Sequence, residues 1–280
     1  MSRYVIDLSS SSALQPALSG GKGAGLARLC RQQCQVPAGF VITTRAFQEL
    51  GLDGGSVISG KEGPPSPAEL EHMRDQVMAT PIPSHVQRKI ERAYGKLGGR
   101  VAVRSSMAGE DSSGASFAGQ LDTVLDVTGE AALLQAVRAC WASLFNSRLW
   151  YYRQEVGGAE VTAGLPIPPM AVVVQQMIEA RAAGVAFSAD PITGERHVVI
   201  EAVAGLGTAL VQGLVEPDRY VMDGQQVRLE RTTGDDGAPI LPTEQILRLA
   251  ETVRQVAHTM QSPQDVEWAW DGAQVYLLQS

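Results

Sequence analysis

The chain has 280 residues, 44% of them hydrophobic and 19% charged, enough apolar content for one large or two modest globular domains. A formal net charge of −7 argues against a nucleic-acid backbone as partner. No apolar run approaches the ~20 residues needed to cross a membrane, and the opening MSRYVIDLSSSS lacks the apolar stretch of a secretory signal. Three cysteines (Cys30, Cys34 and Cys140), odd in number and without zinc-ligand spacing, point to a reducing cytoplasm.

In chain order, residues 3–8 predict a short strand. Ser19-Gly20-Gly21-Lys22-Gly23-Ala24-Gly25 then precedes Leu26, Ala27, Leu29 and Cys30 at helical spacing. A glycine-rich segment opening a helix presents backbone N–H groups that can hold an anion. Gly23 after the lysine excludes a Walker A loop, and the spacing is not G-x-G-x-x-G. A glycine-rich turn with an exposed lysine is the other reading. Residues 36–43 predict a turn and a buried strand, and Thr44 caps a short helix to Leu50. Residues 51–66, rich in Gly, Pro and Ser, predict a flexible surface loop. Ser66-Pro67-Ala68-Glu69 and Ser84-His85-Val86-Gln87 both have the pattern of a capping box, which starts helices over 67–79 and 85–97. Gly98-Gly99 stops the second.

Val101-Ala102-Val103 is an apolar strand ending at Arg104. A Ser/Gly loop follows, and an alternating run from Leu121 to Val127 predicts a strand. A guanidinium at a strand end suits phosphate because its planar fork donates two parallel hydrogen bonds. Small residues let consecutive backbone N–H groups form an anion nest. A solvated loop with a lone arginine is the alternative. Leu133, Leu134, Val137, Trp141, Leu144, Phe145 and Leu149 predict an amphipathic helix over 130–155, and 157–169 predicts a linker. The second half is richer in strands, expected at 170–178, 184–188, 197–203, 218–222 and 226–230, with a helix at 243–260 and a hairpin at 264–279. The division falls between lobes of 1–165 and 166–280.

The strand Met170 to Ile178 carries two amides, Gln175 and Gln176, and reads as a core strand or as a backbone edge offered to a purine. Asp190-Pro191-Ile192-Thr193-Gly194 is a well-specified turn. In the last hairpin, Asp265 and Glu267 share a strand face. Carboxylates opposite the amide of Gln279 are hard ligands suited to Mg²⁺; a solvated polar face is the alternative. Glu267 and Gln279 share a face only if the register is shifted. We therefore expect a three-residue bulged turn at Asp271-Gly272, with Gly272 left-handed, placing Asp265, Glu267, Val275, Leu277 and Gln279 on one face.

The ordered segments GGKGAGLARL, VPAGFVITTRAF, VAVRSSMAGEDSSGASFAGQLDTVL, VVVQQM, GVAFSADPITG and DVEWAWDGAQVYLLQS resemble the N-terminal ATP-binding region of the phosphoenolpyruvate synthase and pyruvate phosphate dikinase family, shared with rifampicin phosphotransferases. The resemblance implies an α+β, ATP-grasp fold of two lobes with the nucleotide cleft between them. It implies ATP and Mg²⁺ as cofactors and a kinase-type phosphotransferase activity. Residue by residue, it implies that Lys22 and Arg104 contact phosphates and act in catalysis. Gly119 and Thr123 belong to the phosphate-side loop and the strand leaving it, Gln175 lies beside the adenine, and Glu201 contacts ribose or metal. Glu267 and Gln279 bind metal and nucleotide, and Asp265 occupies an acidic metal position. The family continues past Leu-Gln-Ser with Arg-Pro, and carries its phosphoryl-accepting histidine in a T-x-G-G-x-x-x-H motif. Neither occurs in these residues: the histidines are His72, His85, His197 and His258, none in such a setting. The expected partner is thus a phosphohistidine-domain protein in trans, with no nucleic acid and no membrane. A nucleotide-binding sensor or scaffold without phosphotransfer is the alternative.

Overall fold

Short β-branched runs pair into two large antiparallel sheets packed with helices, the α+β arrangement expected. The computed structural model describes residues 4–51, 65–108, 111–112, 115–116, 123–147, 169–211, 213–224, 226–233 and 238–280. The chain divides into unit 1, residues 1–27 and 38–177, and unit 2, residues 28–37 and 178–280. The expected loop over 51–66, the linker, the far half of the helix over 130–155, Gly119 and most of the Ser/Gly loop lie largely or wholly outside the described residues.

Unit 1 contains β1 (Val5–Asp7), β2 (Gly39–Ile42), β3 (Val101–Ser106), β6 (Thr123–Val127) and β7 (Ala171–Gln176) in the order β1-β2-β7-β3-β6. The two-residue strands β4 (Asp111–Ser112) and β5 (Ala115–Ser116) pair with each other. β7 is thus a central strand of the first sheet, although the division at 165/166 grouped it with the second half. An apolar run signals a buried strand but not which sheet it joins. Phe40, Ile42, Val101, Val103, Val172 and Val174 form one core with α3 (Pro67–Ala79), α4 (Ser84–Leu97) and α5 (Glu130–Ala142), centred on the fully buried Trp141.

Helix boundaries differ from expectation where side chains chose other partners. α1 (Pro16–Arg31) begins before the glycine-rich segment and is broken inside it, at Gly20 (φ 71°, ψ −179°). At α2 (Thr44–Gln48) the cap is Thr43, because the Thr44 hydroxyl donates to the Ala17 carbonyl. Ser66 and Glu69 form the full capping box of α3, whereas α4 has Pro83 at its cap and Ser84 already helical. α5 ends at Ala142 and tightens into a 3₁₀ turn, Ser143–Phe145, whose Leu144 and Phe145 stay buried; apolar spacing alone cannot separate this from a continuing helix.

Unit 2 is a six-stranded sheet of β8 (Ala182–Phe187), β9 (Val198–Ala204), β10 (Asp218–Asp223), β11 (Gln226–Arg231), β12 (Asp265–Trp270) and β13 (Val275–Gln279), ordered β11-β10-β9-β8-β12-β13. A short helix, α6 (Thr208–Val211), follows β9. The long helix α7 (Thr243–Met260) packs on β8, β9 and β11 through its buried Ile246, Leu249, Val253 and Val256. Ala186, Ile200, Tyr220, Met222, Val266 and Trp268 are buried on the sheet. Among the described residues, no helix is long and apolar enough to cross a membrane.

Candidate functional site

In unit 1 three of the predicted residues, Arg104, Thr123 and Gln175, lie on the sheet face opposite the helical core. Thr123, Arg104, Val173, Val41 and Ile6 are successive cross-strand partners and form one lateral row. Gln175 pairs with Ala102 and Gly39 in the next row on the same face. The glycine-rich segment is seated on the end of β3, two residues beyond Arg104. Gly21 N–H donates to the Met107 carbonyl (2.9 Å), Gly23 N–H to Ser106 Oγ (3.1 Å), and Ser106 Oγ donates to the Ser19 carbonyl (2.7 Å). A Cβ on Gly20 would lie 2.2 Å from both the Ser106 carbonyl oxygen and its Oγ, so this approach requires glycine. The backbone at Lys22 is therefore fixed beside the strand that carries Arg104, and both side chains are half-buried.

Gln175 is 2% exposed and its Nε2 has no hydrogen-bond acceptor among the described residues. A buried amide donor without an acceptor costs about 1–3 kcal/mol, which a ligand acceptor would recover. This is the observation of unit 1 that best fits a bound base.

In unit 2 a second lateral row runs across the whole sheet: Gln279, Glu267, Val185, Glu201, Arg219 and Arg231 are each opposite the next. Opposed residues project to the same face, here the one opposite α7. Glu267 and Gln279 are thus directly paired, as the expected shared role would require, but by a different device from the one expected. The loop has four residues, Asp271 to Gln274, with Trp270 opposite Val275; the bulge lies further along, between Glu267 and Trp268. Asp271 closes this loop by accepting from the N–H groups of Ala273 and Gln274, contacts that hold its carboxyl below the usual range, and Gly272 has φ 102°. Leu277 consequently pairs with Trp268 and is buried, rather than sharing the face of Glu267. Asp265 lies two residues before Glu267 on its face, and desolvation pushes its carboxyl up.

Two features escaped the sequence reading. Arg219 Nη1 contacts Glu201 Oε1 (3.2 Å), its Nη2 Asp190 Oδ2 (2.9 Å) and its Nε Glu230 Oε2 (3.0 Å). Asp190 also accepts from the N–H groups of Ile192 and Thr193, which with the Arg219 charge hold its carboxyl below the usual range. A charged cavity of about 580 Å³ extends from Arg219 past Asp190, His197 and Glu230. The D-P-I-T-G sequence signalled the turn; only the strand order reveals its cation.

A resident metal cage is absent among the described residues: no group of three or more His, Cys, Asp or Glu side chains could hold an ion. One carboxylate and one amide, Glu267 and Gln279, suit instead a Mg²⁺ ion that brings phosphate oxygens of its own.

Residues 16–240 match the family described as pyruvate phosphate dikinase, AMP/ATP-binding domain. A probable phosphoenolpyruvate synthase of Methanothermobacter thermautotrophicus is 37% identical over 94% of this chain and 43% of that protein. A rifampicin phosphotransferase of Streptomyces sviceus is 37% identical over 99% of this chain and 35% of that protein. The chain thus spans less than half the length of these relatives. Among solved structures, an acetyl-coenzyme A synthetase of Ca. Korarchaeum cryptofilum aligns with a TM-score of 0.41 at 12% identity, over 76% of this chain and 89% of that one, a likeness too slight to argue from.

Proposed function

The chain belongs to the pyruvate phosphate dikinase AMP/ATP-binding domain family, and from that premise we propose that it is the ATP-binding part of a dikinase-like phosphotransferase. It passes a phosphoryl group from Mg-ATP to a histidine on a separate polypeptide. The observation that carries this is the buried Gln175 Nε2, a donor with no acceptor among the described residues, on the face that also bears Arg104 and Thr123. Gln175 donates to the base; Lys22 and Arg104 bind and neutralise the phosphates, with Thr123 on the strand beside Arg104, and Gly119, outside the described residues, also contacts the nucleotide. The two units correspond to the two lobes of an ATP-grasp fold. Glu267 and Gln279, with Asp265 nearby and Glu201 further along the row, hold Mg²⁺ and the nucleotide. Bound Mg²⁺ supplies charge neutralisation at the phosphates. The protein's share of catalysis is positioning and fixed positive charge, as in phosphoryl transfer generally.

The accepting histidine is not one of the four in these residues. His72 contacts Gln76 on an exposed helix face, and His85 pairs with Glu49 and meets the Tyr4 ring edge-on. His197 lies between Glu195 and Asp223, and His258 is exposed on α7. Incubation with ATP labelled at the β and γ phosphates, with and without a T-x-G-G-x-x-x-H domain protein, tests the assignment. Acid-labile label should appear on the added domain alone, and Lys22→Ala should abolish it. Stoichiometric labelling of His72, His85, His197 or His258 would overturn it. Mg-ATP binding with no transfer to any such domain would favour the sensor or scaffold instead.

A further inference from the structure

We propose that Arg219 is a positioning residue, which holds the Glu201 carboxylate in place on the ligand face of the unit 2 sheet without itself meeting the nucleotide. The inference rests on the proposal that this face binds Mg-ATP. Arg219 and Glu201 are direct cross-strand partners on β10 and β9, in the row that also carries Glu267 and Gln279. All three guanidinium nitrogens are engaged by carboxylates, one each from Glu201, Asp190 and Glu230, and the side chain is only 13% exposed. An arginine so committed has little capacity left to bind a phosphate.

The far end of the clamp is anchored. Asp190 Oδ1 accepts the N–H groups of Ile192 and Thr193, Asp190 N–H donates to the Glu195 carbonyl, and Gly194 N–H donates to the Asp190 carbonyl. That leaves Oδ2 to hold Arg219 Nη2. Glu230 fixes Nε from the neighbouring strand β11 while accepting from Arg228 through its other oxygen. Arg219 is therefore oriented by a turn and an adjacent strand, and presents Nη1 to Glu201 in a set direction. Without the guanidinium, three partly shielded carboxylates face one another across β9–β11 and the adjoining turn with nothing between them. Like charges at such range repel, and Glu201 leaves its place in the row.

The test is a double-mutant cycle on Mg-ATP affinity in the full chain, with Arg219→Met, Glu201→Gln and the pair. Hydrogen bonds between charged groups are each worth enough to change affinity about tenfold or more. Each single variant should weaken Mg-ATP about tenfold, and the pair should be no weaker than either single variant, because Arg219 acts through Glu201. Arg219→Lys, which keeps a cation, should restore part of the affinity and provides the comparison should Arg219→Met fail to fold. Arg228→Met, which touches Glu230 alone in this cluster, should bind as wild type. Multiplying effects, about a hundredfold in the double variant, or unchanged affinity in Arg219→Met, would overturn the positioning role alone. A wild-type protein that fails to bind Mg-ATP would instead overturn the nucleotide proposal on which it rests.

Discussion

Gly184→Ala is expected to unfold unit 2 or leave it folded only at low temperature. β8 is an interior strand, paired to β9 on one side and β12 on the other. A Cβ at Gly184 would lie 1.8 Å from the Glu201 carbonyl oxygen, 2.8 Å from its carbon and 3.0 Å from Trp268 Cζ2. Two of these three atoms are backbone, so no rotamer change relieves the clash; β8 and β9 must separate. Overpacking a core ordinarily costs about 1–3 kcal/mol, and this case should reach or exceed that upper bound. The acidic row would suffer with the fold, since Glu201 is the residue displaced. Gly95, in the helical run of α4, has open space around it. Gly95→Ala should therefore stabilise by about 0.4–1 kcal/mol. Urea denaturation of both variants checks the pair: a wild-type midpoint for Gly184→Ala would refute the close approach.

Asp218→Ala should cost about 3 kcal/mol or more, because several buried donors lose their acceptor and each unsatisfied group costs about 1–3 kcal/mol. Asp218 is 0% exposed. It accepts from the Thr233 N–H and hydroxyl, the Ile240 N–H (2.9 Å) and the Tyr220 hydroxyl (2.7 Å), tying β10 to the segment that enters α7. Burial alone would raise its pKa, but the hydrogen bonds from Ile240, Thr233 and Tyr220 together outweigh burial and hold the carboxyl below its ordinary value. The same burial, and next the hydrogen bond to Asp218, push the Tyr220 phenol up, so it remains a donor. A depressed folded pKa means that this stabilisation is complete above the unfolded value, near 3.9, and is lost as pH falls through the folded one. Asp218→Asn should thus lose less than Ala and lack this part of the acid destabilisation. Melting temperatures between pH 3 and 7 for the three proteins decide it; parallel curves for wild type and Asn would contradict the assignment.

Local chemistry made several elements readable. Ser66 with Pro67 and Glu69 forms the cap it spells, because all three groups lie within one turn. The demand that Glu267 and Gln279 share a face was enough to require a register shift, and they are indeed opposed. Where the shift falls was not readable, since Asp271 forms its own closed loop and moves the bulge beyond Trp268. The seating of Gly20 on Ser106 joins residues 86 positions apart, and its geometry depends on how the end of β3 meets α1. Arg219 was invisible for the same reason. Its three partners come from a turn and two other strands, and only the order β11-β10-β9 brings them together.

The central claim is that this chain binds Mg-ATP through Lys22 and Arg104, and its most direct test is the melting shift with Mg-ATP in wild type, Lys22→Ala and Arg104→Ala. A ligand that binds only the native state at a hundredfold excess over Kd adds about 2.7 kcal/mol. Wild type should show a clear upward shift, and both variants should remain folded without nucleotide while losing most of it. Variants that keep the full wild-type shift would contradict the phosphate assignment, and a wild type with no shift at saturating Mg-ATP would contradict the binding itself.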